Sequence, residues 1–315
     1  MKFPIPNYPR IEMNITELCN LRCDFCPRAH GYPNRNLHMS NEILDLFLEG
    51  QEEFLARHDH LIPILLIGRG EPTLHENFID FCMRIYDHLQ KLKEKYPALK
   101  HRNPKISMIH TNGYKWEKWL PELHDKFEQI DFNCYPERTY TEYLKIKETL
   151  SIYPNVSVQD RGTTGNNEVF LETRTNKSGT TTPVKYNNRA GSIPQDIIPM
   201  VNLSEAQGRS CGKVFDLIYL DYDGEWRLCC NDWDDLVSLG NIKEYSVFEH
   251  FWHNPIYNEY RWRLANGDRS LVPCNKCNAS LRDESGWKKT FQPYVDANPR
   301  WIRSVKHVKL NNRMF

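Results

Sequence analysis

Eight of the ten cysteines in this 315-residue chain fall into two groups, and their spacing says what they can do. The first group is the run Cys19-Asn20-Leu21-Arg22-Cys23-Asp24-Phe25-Cys26. Three thiolates on one short loop can hold three irons of a 4Fe-4S cluster and leave the fourth iron open. Zinc is the competing occupant, but it prefers four protein ligands in paired CxxC knuckles. No nearby fourth cysteine completes a tetrahedron, and His30 and His38 stand at poor spacing. The second group is Cys211, Cys229, Cys230, Cys274 and Cys277, from which four ligands on separate segments can close a second site. Paired ligands around a hairpin suit zinc as well as iron, so both occupants stay open on spacing alone. Cys82 falls on the apolar face of a helix and Cys134 ends a strand; both read as core residues.

The elements that must position these groups alternate regularly. Ile11, Met13 and Ile15 alternate with polar residues, which predicts a strand from Arg10 to Thr16 ending just before Cys19. Ser40 is a candidate N-cap for a helix carrying Ile43, Leu44, Phe47, Leu48, Phe54 and Leu55, weakened at Gly50. A strand at Pro63–Ile67, a helix from Phe78 to Leu89, a strand at Ile106–His110 and a helix at Trp116–Phe127 follow. A strand near Ile130–Cys134, a helix over Tyr143–Leu150 and a strand near Asn155–Val158 complete the run. Such βα alternation implies parallel strands with right-handed crossovers. With about five or six βα units before Gly162 and functional residues after successive strands, an open or partial (β/α)6 TIM-like barrel is expected. From Gly162 to Gly208 the composition shifts to Thr, Asn, Gly and Ser, which reads as a last barrel strand plus a linker. Asp216–Asp221 and Glu225–Cys229 then flank Asp223-Gly224, a hairpin signature, and Pro255 opens a helix closed by Gly267.

Composition excludes several classes of protein. Forty-one Lys and Arg balance 41 Asp and Glu, so no overall positive field draws the chain to nucleic acid or to anionic membrane. The longest apolar stretch, around Leu61–Ile67, is far below the roughly 20 residues of a membrane span, and the N-terminus lacks an apolar signal core. A cytoplasmic protein is the expectation, with its clustered cysteines reading as metal ligands in a reducing compartment.

The CxxxCxΦC pattern, with Phe25 before the third cysteine and a predicted strand before the first, resembles the radical S-adenosylmethionine superfamily. That resemblance implies that the open iron binds the amino and carboxylate groups of S-adenosylmethionine. Two further segments are similar to that family. Gly68-Arg69-Gly70-Glu71-Pro72 after the second strand resembles its GGEP motif, with Arg69 in place of the first glycine. Thr111-Asn112-Gly113 after the third strand is similar to its TNG segment. The resemblance implies cofactor contacts from Phe25, Gly70, Glu71, Pro72, Thr111 and Asn112, with Asn133 at the mouth of the fourth strand. In the last third, Cys211, Cys229, Asp232, Gly240-Asn241-Ile242, the helix and Cys274-x2-Cys277 resemble the twitch form of the SPASM extension. That form implies one auxiliary 4Fe-4S cluster on Cys211, Cys229, Cys274 and Cys277, with Cys230 facing the substrate cavity.

The division expected is a barrel with linker over 1–200, an auxiliary-cluster domain over 201–290 and a tail over 291–315. The function implied is reductive cleavage of S-adenosylmethionine to a 5′-deoxyadenosyl radical that takes hydrogen from a small polar substrate, a sugar, cyclitol or nucleoside. The auxiliary cluster would take up an electron, and a flavodoxin or ferredoxin-type protein would supply the reducing electron. The cysteine spacing is similar to the aminocyclitol (2-deoxy-scyllo-inosamine) dehydrogenase type of antibiotic biosynthesis. Cys230 and Arg189 are the candidate catalytic residues. A peptide maturase, or a redox-neutral epimerase, is the alternative, and the short stretch before Cys19 favours the small molecule.

Overall fold

The computed structural model describes residues 10–163, 173–175, 181–183, 187–194, 202–247 and 254–279. Four βα units lead to a fifth strand: β1 (Arg10–Met13), α1 (Asn41–His58), β2 (Ile64–Leu66), α2 (Phe78–Lys95), β3 (Ile106–Thr111), α3 (Trp116–Leu123), β4 (Phe127–Cys134), α4 (Tyr140–Leu150) and β5 (Val156–Asp160). Helix starts follow capping chemistry: Ser40 Oγ accepts from Ile43 N, and Thr139 with Glu142 forms a reciprocal capping box on α4. Gly50, the weak point of α1, sits where a methyl group would lie 3.2 Å from Val247 Cγ2, so it permits close packing of α1 on the C-terminal part. The helix expected to run to Phe127 stops at Leu123, and Phe127 opens β4 by pairing with Ile106.

β1 to β5 pair in parallel in sequence order. The sixth parallel strand comes from elsewhere than expected. The pieces of the Thr-rich segment that are described, β6 (Thr173–Thr175) and β7 (Thr181–Pro183), form a separate antiparallel pair. The short helices α5 (Leu203–Ala206) and α6 (Lys213–Asp216) then lead to β8 (Leu217–Leu220), which pairs in parallel with β1 on its free side. β9 (Glu225–Arg227) and β10 (Ser238–Asn241) add antiparallel strands, giving the order β10-β9-β8-β1-β2-β3-β4-β5, and α7 (Pro255–Ala265) follows. The barrel is therefore partial and continuous with the C-terminal hairpin. The boundary expected near residue 200 divides a chain whose two parts share one sheet. Residues 291–315, and the apolar runs 169–171 and 184–186, lie outside the described residues.

One face of the sheet is apolar and buried against the helices. Ile109, Ile130, Phe132 and Cys134 are fully buried in one cluster with Phe47, Phe54, Phe81, Cys82, Ile85 and Leu120. Among the described residues no helix is long and apolar enough to cross a membrane. Ile130→Ala, at the centre of this cluster, is expected to cost about 2–5 kcal/mol through lost burial and the cavity left behind. Ile152→Ser, at a position 75% exposed, should stay within about 0.5 kcal/mol. Denaturant titration of both variants checks the contrast.

Candidate active site

The chain leaves β1 and turns through the first cysteine group in a loop tied down by hydrogen bonds. Cys19 N donates to Asn34 Oδ1 at 2.9 Å, and Asn34 Nδ2 donates back to Cys19 O at 2.9 Å. Arg28 crosses beneath, its guanidinium donating to Glu17 O, Pro33 O and Arg69 O at 2.7 to 3.0 Å. Cys19, Cys23 and Cys26 line one cavity of about 200 Å³ together with Phe25, Gly70, Glu71, Thr111, Asn112 and Asn133. Tyr135 closes it with its ring 5.4 Å from that of Phe25. Burial pushes the Cys19 thiol up to about 11 and raises Cys23 and Cys26 as well. Thiols in such a place stay protonated until a cation is present, and binding iron would release their protons.

Glu71 interlocks the loops that follow the first three strands. Its Oε1 accepts from Thr73 N, Thr73 Oγ1 and Thr111 Oγ1 at 3.2, 2.8 and 2.6 Å, and Oε2 accepts from Asn112 N at 2.7 Å. Burial raises its carboxyl despite these donors. Oε2 carries one protein donor and retains capacity for another. The backbone of Glu71 donates to Leu18 O at 2.8 Å. A Cβ on Gly70 would lie 2.1 Å from Thr16 O, so only glycine allows that approach. Pro72 starts the short 3-10 turn Pro72–Leu74 that Glu71 caps. Asn112 Nδ2 donates to Asn20 Oδ1 at 2.9 Å, and Asn133 Oδ1 accepts from Arg161 Nε at 2.9 Å.

Sequence reasoning missed what stands beside this interlock. Arg69, noted only as a departure from a glycine, is 3% exposed and reaches into the C-terminal part. It donates to Tyr32 OH at 2.9 Å and to Asp232 O at 2.7 Å, and pairs with Asp235 at 2.7 Å and Asp221 at 3.4 Å. Asn14, at the end of β1, accepts from Arg69 N at 2.9 Å and donates to Asp221 Oδ1 at 2.8 Å. The only sequence signal was the replacement itself: an arginine where close backbone approach was expected must find buried partners.

The second cysteine group draws together from three segments. Burial and their mutual repulsion as thiolates raise Cys211, Cys229 and Cys274, with Cys277 acting on all three. Arg269, 3% exposed, staples the backbone around them by donating to Arg209 O, Ser210 O, Cys277 O and Ala279 O. Cys230 has polar partners of its own. Its sulfur lies 3.3 Å from Lys213 Nζ, it hydrogen-bonds Glu12, and it is absent from the lining of the cavity that holds the first cysteine group. Burial pushes its thiol up to about 11. Just past β9, Cys229 interacts with Cys274 and Cys277, while Cys230 is engaged by Lys213 and Glu12 and lies within electrostatic reach of Arg189. Arg189 does line the cavity and donates to Asn231 Oδ1 at 3.2 Å.

Residues 211–278 match the family model of the SPASM iron-sulfur cluster-binding domain. The chain carries a SPASM domain. The match spans Cys211 through Cys277, so the segment that supplies β8 to β10 and α7 is this domain. No curated protein sequence matches the chain. Among solved structures, BtrN in complex with AdoMet and 2-DOIA is similar at a TM-score of 0.64 and 20% identity, covering 89% of this chain and 97% of that one. SeMet BtrN in an open conformation is similar at a TM-score of 0.54 and 18% identity, covering 86% and 92%. This likeness shows a shared fold, and the partial barrel with a SPASM-type extension expected from the motifs is borne out.

Two outcomes are expected from this geometry. Asp221→Ala removes a buried carboxylate shared by Arg69 and Arg227, leaving Asp235 as the buried carboxylate between them, and should cost about 3–5 kcal/mol in a denaturant titration. Glu71→Gln keeps the size of the side chain but sets an amide donor against donors the carboxylate accepts from, and should cost about 1–3 kcal/mol of stability. The same titration reads the second effect.

Proposed function

We propose that this protein is a radical S-adenosylmethionine oxidoreductase acting on a small polar substrate, with an N-terminal cluster on Cys19, Cys23 and Cys26 and an auxiliary cluster on Cys211, Cys229, Cys274 and Cys277. The observation that carries the reading is the pairing of two unlike cysteine sets: three on a cavity wall and four inside a SPASM domain. The donors fit the group. Soft thiolates suit iron-sulfur clusters, and among the described residues no three Cys, His, Asp or Glu side chains converge tightly enough to grip a single metal ion. When bound, the three-cysteine cluster supplies an electron whose arrival breaks a C–S bond of S-adenosylmethionine and yields a 5′-deoxyadenosyl radical, while the four-cysteine cluster serves as electron acceptor.

This chain's own residues do the rest. Glu71 Oε2 and Asn112 would hold the cofactor's ammonium and carboxylate end, Gly70 and Pro72 would shape the turn that lets it approach, and Thr111 would keep Glu71 oriented. Phe25, its ring tilted against that of Tyr135, would exclude water from the radical. Arg189 would meet a polar substrate from the SPASM side of the cavity, and Cys230, engaged with Lys213 and Glu12, would hold the hairpin against β1. The barrel would occupy 1–200 and the auxiliary domain 201–290. The polar substrate would be a cyclitol or sugar in natural-product biosynthesis, with a flavodoxin or ferredoxin-type reductant in the cytoplasm.

Anaerobically reconstituted protein should contain about eight irons and eight sulfides, whereas stoichiometric zinc without charge-transfer absorption would overturn the reading. Cys19→Ala with Cys23→Ala and Cys26→Ala should leave about four irons and abolish formation of 5′-deoxyadenosine. Cys274→Ala with Cys277→Ala should leave cofactor cleavage measurable but remove oxidised product, provided circular dichroism shows the fold retained.

A further inference from the structure

The face of the sheet turned away from the helices is polar along β3, β4 and β5. Past Met108, which stands beside Gln129, register places His110 beside Asp131, then Asp131 beside Ser157 and Asn133 beside Gln159. Alternation puts these side chains on one face and Ile109, Ile130 and Phe132 on the other. A parallel sheet packed on both faces by apolar partners reads as a run of Val, Ile and Leu; here one face offers consecutive hydrogen-bonding groups.

At the cysteine end of that face stands a dyad. His110 lines the same cavity as the first cysteine group. Its Nε2 donates to Asp131 Oδ2 at 2.9 Å, and Asp131 Oδ1 accepts from Gln129 Nε2 at 2.6 Å. Asp131 is buried while the His110 side chain is 40% exposed toward the cavity. Burial alone would raise the Asp131 carboxyl, yet the hydrogen bonds from His110 and Gln129 outweigh it and hold it below its usual range. A carboxylate on one ring nitrogen fixes the tautomer and leaves the other, Nδ1, as a proton acceptor.

We propose that the substrate is a polyhydroxylated small molecule seated on this polar face, and that His110 is the catalytic base for its reacting hydroxyl, with Asp131 as its positioning residue. The proposal rests on the function proposed above. The carbinol carbon gives a hydrogen atom to the 5′-deoxyadenosyl radical, forming a C–H bond of 5′-deoxyadenosine. The O–H bond then breaks with its proton passing to His110 Nδ1. The remaining electron goes to the oxidised auxiliary iron-sulfur cluster, and the carbon–oxygen bond becomes a ketone. One hydrogen atom, one proton and one electron leave the substrate, which balances a two-electron oxidation.

The test uses reconstituted holoenzyme and four probes deuterated on carbon: a cyclitol, an aminocyclitol, a hexose and a pentose. Wild type should move deuterium from at least one probe into 5′-deoxyadenosine and form its ketone. His110→Gln with full iron content should still transfer deuterium, while ketone formation falls about 100-fold or more, the scale of a lost general base. Equilibrium dialysis against the oxidised holoenzyme, which does not turn over, should show that probe bound by His110→Gln within about tenfold of wild type. Added imidazole should restore ketone to His110→Ala, which a structural role would not predict. Asp131→Asn should lower ketone formation while His110 remains present. Ketone at the wild-type rate in His110→Gln overturns the base, and in Asp131→Asn overturns the positioning. Unlabelled 5′-deoxyadenosine from every probe overturns the polyol assignment while leaving cofactor cleavage standing. Failure of wild type to form any 5′-deoxyadenosine overturns the underlying function instead.

Discussion

Buried charge at the junction of β1, β2 and β8 is the constraint on which the rest of this structure depends. Glu17, Arg28, Arg69 and Asp221 have side chains about 1% exposed, and Arg227 and Asp235 are nearly as hidden. Ions cannot be buried singly; each must be paired and hydrogen-bonded or the fold pays several kcal/mol. Here every partner lies on a different segment, so satisfying one guanidinium fixes the position of three loops. Arg69 ties the loop after β2 to the backbone of Asp232, and the amide of Asp232 in turn donates to Cys229 O. The loop that lines the cavity of Cys19, Cys23 and Cys26 and the loop that carries Cys229 are thus held by one side chain.

A second constraint follows from the half-open sheet. Because β8 pairs on the free side of β1, the hairpin of the SPASM domain extends the barrel sheet instead of resting on it. The apolar face then has helices to cover it, whereas the opposite face remains available to a ligand. Its polar residues are stable there because they pair along the register, His110 with Asp131 and Gln129 with Asp131, and because water or substrate can meet the remainder.

The two cysteine sites differ in the same physical terms. The first lies on a loop whose backbone is pinned by side chains such as Asn34 and Arg28. The second gathers thiols from segments separated by up to 66 positions (211 to 277), and Arg269 supplies carbonyl contacts that substitute for regular structure. Metal ligation there contributes to the folding of the module it binds.

Local patterns alone determined a good deal. Spacing of Cys19, Cys23 and Cys26 fixes a single-loop ligand set, and the 3.6-residue period of α1 and α2 and the Asp223-Gly224 turn are short-range properties of the chain. The motif glycine at 70 was legible because close backbone approach demands it. Tertiary structure decided whatever depends on pairing between distant segments. Nothing near Leu217–Leu220 announces that it will lie beside Arg10–Met13, some 200 residues earlier, since a strand's register is set by its partner. Nothing around Arg69 announces Asp221 and Asp235. The His110–Asp131 dyad belongs to the same class: each residue reads as an ordinary strand position, and only parallel register across β3 and β4 sets them side by side.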